Sequence, residues 1–309
     1  QGVRWYAVPM PPAIKHPSSL MPYLLLTLAM VFWSGNFILG RAVRMDIPPI
    51  ALAFWRWTIA SLLIIGPAFS PLKRDWSTIT RHWPIILLLA GTGVAAFNTL
   101  AYMGLRHTVA VNAFLMQTMM PVFIVILSFG LFRVPINKGQ IGGVMLCLIG
   151  AITIIVQGDI RIMASLSFNP GDLLVLTAVL SYAGYSVLLR KRPPIHPLSF
   201  VAVTFILGAL MLLPLYLWET FAVRAIQFNR ITLLAVAYVG IFPSIISYLC
   251  YNRGVERIGA NRAGLFLYLM PVFGSVMAFF FLGESFRWFH WAGMVLIAAG
   301  IVTTLRAGK

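Results

Sequence analysis

Along most of its length the chain alternates between long apolar runs and short polar breaks. Ten runs can be placed, at about 22–40, 49–68, 84–104, 110–132, 139–157, 172–189, 198–217, 231–251, 263–282 and 289–305. Each approaches the roughly 20 residues that carry a helix across a hydrocarbon core about 30 Å thick. Leu, Ile, Ala and Gly follow one another in these runs without the strict alternation of a membrane strand. In lipid, backbone polar groups must pair within the element itself, which favours the helix. The pattern predicts an all-α integral membrane protein with ten transmembrane helices.

Composition agrees. Hydrophobic residues make up 60% of the chain and charged residues only 10%, whereas soluble domains are about 45–50% apolar and about 25% charged. The net charge of +16 would point to nucleic acid in a soluble protein. Here Lys and Arg fall in the breaks, where they orient helices during insertion. With the N-terminus inside, fifteen of the 23 Lys and Arg residues fall on inner segments and seven on outer loops. Both termini are therefore expected in the cytoplasm of a bacterial inner membrane, with lipid as partner and no nucleic acid. Cys147 and Cys250 lie in apolar runs and read as small apolar residues. The proline-rich first twenty residues are no signal peptide and read as a loose tail.

The runs repeat. MPVF occurs at 120–123 and again at 270–273, and sliding the intervening chain by 150 also superposes Gly104 on Gly254, Gly143 on Gly293 and Gly150 on Gly300. At an offset of 149, WSGNFILGR (33–41) meets YAGYSVLLR (182–190). The chain therefore divides into an N-terminal tail (1–21), a five-helix repeat (22–157), a linker (158–171), a second five-helix repeat (172–305) and a C-terminal tail (306–309). Five is odd, so the second copy enters the membrane from the opposite side. Two inverted-topology five-helix repeats are the plan of many secondary transporters, which bind substrate between the halves near mid-membrane.

These repeats resemble the drug/metabolite transporter superfamily, specifically its ten-helix EamA-type exporters. The resemblance rests on FWSGNFILGR, FWRW around Arg56, YMGLRHTVAVNAFLMQTMMPVF, YNRGVERIGANRAGLFLYLMPVFGSVMAFFFLGE and WAGMVLIAAGI, and spans about 22–305. Within the family the chain is most similar to aromatic and neutral amino-acid exporters of the YddG type. It departs from the family at RVP (133–135), where a GE pair is common; Gly283 and Glu284 supply that pair only in the second half.

Polar residues at helical spacing point to a binding cavity. Asn98 and Tyr102 stand four apart on one face, and their repeat partners Tyr248 and Asn252 carry the same pair in reverse order. Trp33 and Asn36 in the first helix match Tyr182 and Tyr185 in the sixth. Facing lipid, such groups would be costly, so they should turn inward, either to bond neighbouring helices or to line a cavity. Gln117, Asn112 and Tyr268 are further candidates. Arg56 either snorkels to the interface between Trp55 and Trp57 or holds a carboxylate. Pro121 and Pro271 should break the fourth and ninth helices, as should Gly91 and Gly93 in the third and Pro243 in the eighth. Gly139 with Gly143, and Gly293 with Gly300, should pack the halves or a second protomer.

All seven acidic residues fall near helix ends, which disfavours a cation/proton antiporter with a mid-membrane carboxylate. There is no metal-ligand spacing and none of the DDxxD, HxxxxD or HExxH motifs, so neither a cofactor nor an enzyme activity is expected. The expected function is export of aromatic and other neutral amino acids, or similar small metabolites, by alternating access. The alternative is a broad exporter of drugs, nucleosides or purines, with or without proton coupling. Ten helices can enclose a cavity alone, so a monomer or weak homodimer is expected.

Overall fold

The computed structural model describes residues 20–43, 46–108, 110–164, 169–282 and 285–307. The chain up to residue 19, Arg44, the Gly283–Glu284 pair and the last two residues fall outside that set. The described residues hold helices and no strand. The membrane helices are α1 (Met21–Ala42), α2 (Pro49–Arg81), α3 (Trp83–Gly104), α4 (Ala110–Thr118 and Met120–Phe132) and α5 (Lys138–Ile155). After a short helix at Ile160–Ala164 come α6 (Pro170–Leu188), α7 (Pro197–Ala222) and α8 (Arg230–Ile258). The last two are α9 (Ala260–Leu265, Phe266–Tyr268 and Leu269–Leu282) and α10 (Trp288–Ala307). Among the described residues, nine of these are long and apolar enough to span a membrane; α9 is interrupted by a 3-10 turn at Phe266–Tyr268.

Local chemistry sets the starts. α1, α2, α3, α6 and α7 each carry proline in their first two positions, where the missing N–H costs nothing. Asn137, Asn169 and Asn229 form reciprocal capping boxes with Gln140, Asp172 and Thr232 at the heads of α5, α6 and α8. One boundary differs from expectation. α2 does not stop near residue 68 but runs through Pro67 and Pro71 to Arg81. Its polar last turns hold Asp75, whose carboxylate accepts the His196 N–H at the head of α7 (2.8 Å).

The pairing of helices fixes the topology. Equivalent helices of the two halves pack on each other, α2 on α7 and α5 on α10. In α5 and α10 the contact is glycine to glycine, Gly143 against Gly300 and Gly150 against Gly293, so the helices run antiparallel. A Cβ on any of these glycines would strike facing backbone, and the close approach needs their absence. α2 and α7 also run antiparallel, because Ala51 meets Glu219 while Asp75 meets His196. Equivalent helices thus point opposite ways, and the molecule is built from two inverted-topology five-helix repeats. The remaining pairs obey the same two-fold relation: α1 lies on α8 and α9, as α6 lies on α3 and α4.

The third and eighth helices, both expected to break, leave α-helical geometry in the same manner. Residues Gly91–Ala96 of α3 and Ile241–Ile246 of α8, 150 positions apart, are π-helical. Pro243 cannot supply the N–H that Val239 carbonyl would receive four residues back, and the Ser244 hydroxyl takes that carbonyl instead at 2.7 Å. α4 breaks at Met119, two residues before Pro121, and α9 breaks just ahead of Pro271.

Candidate functional site

Where the halves meet, a cavity is lined by Trp33 and Asn36 of α1, Arg56 of α2, Phe97 and Asn98 of α3, and Gln117 and Met120 of α4. The second half adds Tyr182 of α6, Tyr248 of α8, and Leu267 and Met270 of α9. Its free space is about 30 Å³, room for on the order of two waters. A larger solute requires the helices around it to move. The broken helices α4 and α9 meet at one end. The second piece of α4 packs on the first piece of α9, with Ile124 against Gly264. Both pieces of α4 pack on α6, whereas the last piece of α9 packs on α1.

Arg56 does not snorkel. Its side chain is 2% exposed and points into the protein. Nε donates to Ser244 Oγ at 2.7 Å, and Nη2 donates to Pro243 carbonyl at 3.0 Å. Nη1 donates to Asn98 Oδ1 at 3.0 Å, Asn36 Oδ1 at 3.3 Å and the Tyr102 hydroxyl at 3.4 Å. The guanidinium carbon lies 4.7 Å from the Trp57 ring centroid, a cation–π contact. The reason is geometric. Ser244 and the Pro243 carbonyl sit in the π-helical segment of α8, which α2 packs against. Every one of these acceptors is neutral. Taking a guanidinium out of water costs several kcal/mol unless something offsets its charge, and among the described residues no carboxylate lies within ion-pair distance of it.

Aromatic rings wall the cavity. Trp33 meets Tyr182 edge-on at 5.6 Å and Tyr248 at 6.0 Å, and Tyr248 meets Trp57 at 5.2 Å. Trp33 Nε1 donates to Pro243 carbonyl at 2.8 Å, while the Tyr248 hydroxyl donates to Gly93 carbonyl. The central carbonyl of each π-helical segment is thus held by an aromatic residue of the other half. Gly93 must be glycine, since a Cβ there would run into the Tyr185 ring.

The other candidate residues sort themselves by contact. Tyr102 bonds Asn36 at 3.3 Å, and its repeat equivalent, Asn252, accepts from Tyr185 at 2.8 Å. Tyr102, Tyr185 and Asn252 stand behind the cavity wall and brace it. Tyr268 belongs elsewhere: it packs with Cys147 and Ile297 between α5, α9 and α10. The 3-10 turn at Phe266–Tyr268 rotates it away and presents Leu267 to the cavity instead. Asn112 turns to Asp172, whose carboxylate it meets at 3.1 Å. Trp57, Ser244 and Phe97 are site residues the sequence reading passed over. Ser244 carried a signal, because a hydroxyl directly after a helix-breaking proline is placed to replace the lost donor. No cluster of three or more His, Cys, Asp or Glu residues able to hold a metal occurs among the described residues.

Comparison with known proteins gives a consistent answer. A solved crystal structure superposes with a TM-score of 0.78 at 19% identity, covering 93% of this chain and 97% of the other. A protein of Bacillus subtilis described as an uncharacterized transporter, YyaM, is 29% identical over 284 residues, 91% of this chain and 92% of the relative. A probable terminal-alkyne amino-acid exporter of Streptantibioticus cattleyicolor is 27% identical over 262 residues, 84% of each chain. The model of the EamA-like transporter family matches twice, over residues 20–156 and 169–306, once for each run of five helices. Each half of the inverted repeat thus carries one match, and this multi-pass membrane chain belongs to the EamA-like transporter family, whose members are transporters and not enzymes.

Proposed function

We propose that this transporter exports aromatic and other neutral amino acids, or similar small metabolites, from the cytoplasm across a bacterial inner membrane. The observation that carries this is the buried Arg56 guanidinium, bonded only to neutral acceptors, beside a cavity walled by Trp33, Tyr182 and Tyr248. A carboxylate fits the first and an apolar or aromatic side chain the second. The name of the Streptantibioticus relative points to the same class of solute.

The halves at 22–157 and 172–305 rock against each other, opening the cavity to each side in turn. With both termini in the cytoplasm, the ends of α4 and α9 that part lie outside. The ends that meet lie inside, where Arg190 and Lys191 sit over the Phe132 ring at 5.4 and 5.7 Å. A carboxylate arriving at Arg56 competes with Ser244 and Pro243 for the guanidinium. That competition loosens α2 from α8 and links binding to movement of the halves.

The test is uptake of radiolabelled phenylalanine, tryptophan, threonine and methionine into proteoliposomes without an imposed ion gradient. Saturable uptake, impaired by both Tyr102→Ala and Tyr248→Ala, is the expected result. Absence of uptake for all four, even with a proton gradient, would overturn the amino-acid assignment.

A further inference from the structure

An amino acid brings an ammonium as well as a carboxylate, and the cavity is not equally prepared for both. Near Arg56 the hydrogen-bond acceptors are already engaged. Asn36 Oδ1 receives both Arg56 and Tyr102, Asn98 Oδ1 receives Arg56, and Pro243 carbonyl receives both Trp33 and Arg56. Several of the groups left unengaged can donate. A guanidinium has five N–H groups, and Nη2 has a single acceptor for its two. Asn98 Nδ2 and the Tyr182 hydroxyl are buried without a hydrogen-bond partner, and both residues line the cavity. None of the residues lining it is acidic.

We propose that the cavity selects by charge, binding small carboxylates with an aromatic or apolar body as anions that lack an ammonium at least as well as it binds the amino acids. The inference rests on the function proposed above and narrows its substrate class. The physical reason is local. A carboxylate on Arg56 accepts from the free Nη2 proton, Asn98 Nδ2 and the Tyr182 hydroxyl together, and supplies the charge that the protein leaves out. An ammonium on the adjacent carbon enters the same low-dielectric space as the guanidinium and finds only neutral acceptors, the Gln117 amide and the Tyr182 hydroxyl, and no carboxylate. Like charges brought together in a desolvated site repel strongly, which only the ring faces of Trp33 and Tyr248 partly offset. Bodies of the 2-oxo acid or arylalkanoate type fit best, zwitterions less well, and amines not at all.

The experiment uses three probes with one ring and one chain length: 3-phenylpropionate, phenylalanine and phenethylamine. Binding to the purified full-length protein is measured by calorimetry, and flux by proteoliposome uptake. Phenylpropionate is expected to bind as tightly as phenylalanine or tighter, and phenethylamine about 100-fold or more weakly than either. In Arg56→Gln the advantage of the anion over the amine should collapse, while Arg56→Lys should retain part of it. If phenylalanine binds and moves but phenylpropionate does neither, the charge inference falls and the amino-acid assignment stands. If phenylpropionate moves and phenylalanine does not, the inference holds and the assignment falls. Binding of phenethylamine as tight as that of phenylpropionate overturns the inference in the wild-type protein, whatever the variants do. If none of the three binds, both fall.

Discussion

The two halves of the molecule hold the same bracing pair and use it differently. In the first, Tyr102 bonds Asn36; in the second, Tyr185 bonds Asn252, so the aromatic and the amide have exchanged helices. Beside the first pair stands Arg56. Counting from the prolines that open α2 and α7, Pro49 and Pro197, its counterpart is Thr204. The next residues along, Trp57 and Phe205, face each other with ring centroids 4.8 Å apart, as equivalent positions of antiparallel partners should. Thr204 makes no contribution to the cavity, since its hydroxyl bonds back to Phe200 carbonyl at 2.8 Å. Repetition thus delivers a frame twice, while the chemistry is present once. A symmetric site would have no way to tell one end of a solute from the other, and the single cation gives the cavity a direction.

The strongest way to break the comparison is to make the halves alike. Arg56→Gln leaves neutral polar groups on both sides, and saturable flux of carboxylate solutes should fall about 100-fold or more. The thermal midpoint of the same variant in detergent should not drop, because an uncompensated buried charge has been removed. A midpoint lowered along with the flux would make Arg56 a structural residue.

A second pair sharpens the comparison at the helix ends. Glu219 accepts the Ala51 N–H at the head of α2 (2.7 Å), as Asp75 accepts the His196 N–H at the head of α7. The roles match and the surroundings do not: Glu219 is 1% exposed, whereas Asp75 is half-buried. Glu219→Ala strands a buried donor and should cost about 1–3 kcal/mol. Asp75→Ala leaves its donor within reach of water and should cost about 1 kcal/mol or less. Chemical unfolding of the two variants side by side decides this, and equal losses would refute the burial argument.

The smallest effect comes from the bracing pairs. Tyr102→Phe removes a hydroxyl bonded to both Asn36 and Arg56, so flux should fall about 3- to 10-fold as the guanidinium loosens, in line with a hydrogen bond of about 0.5–1.5 kcal/mol. Tyr185→Phe removes a bond of the same kind that no charged group shares. Its flux should stay within about 3-fold of wild type while stability falls by about 1 kcal/mol. Equal flux losses in the two variants would mean that Arg56 gains nothing from Tyr102.

Much of this was legible in the residues themselves. The ten helices follow from apolar runs of membrane length, and their starts from prolines and capping asparagines, because these effects act within a turn or two. The breaks in α3, α4, α8 and α9 follow from Gly91, Gly93, Pro121, Pro243 and Pro271 for the same reason. The apolar run of α2 stops near residue 68, but Pro67 and Pro71 do not end the helix. Helix continues through both, since the polar turns beyond them are fastened to α7 by Asp75.

What the sequence determined by itself is the set of helices, the repeat, and through the odd number of spans the inverted relation of the halves. These depend on hydrophobicity, length and local backbone chemistry, which are properties of a segment and need no neighbour. What only the tertiary structure decided is which polar residues meet. Whether Arg56 reaches outward or inward, and whether Tyr268 or Leu267 faces the cavity, depends on how each helix is rotated about its own axis. That rotation is set by contacts between helices, by glycines that let α5 touch α10 and by a π-helical turn that offers Arg56 a serine and a carbonyl. No periodicity within a single membrane helix encodes it, because lipid and protein interior are nearly equally apolar.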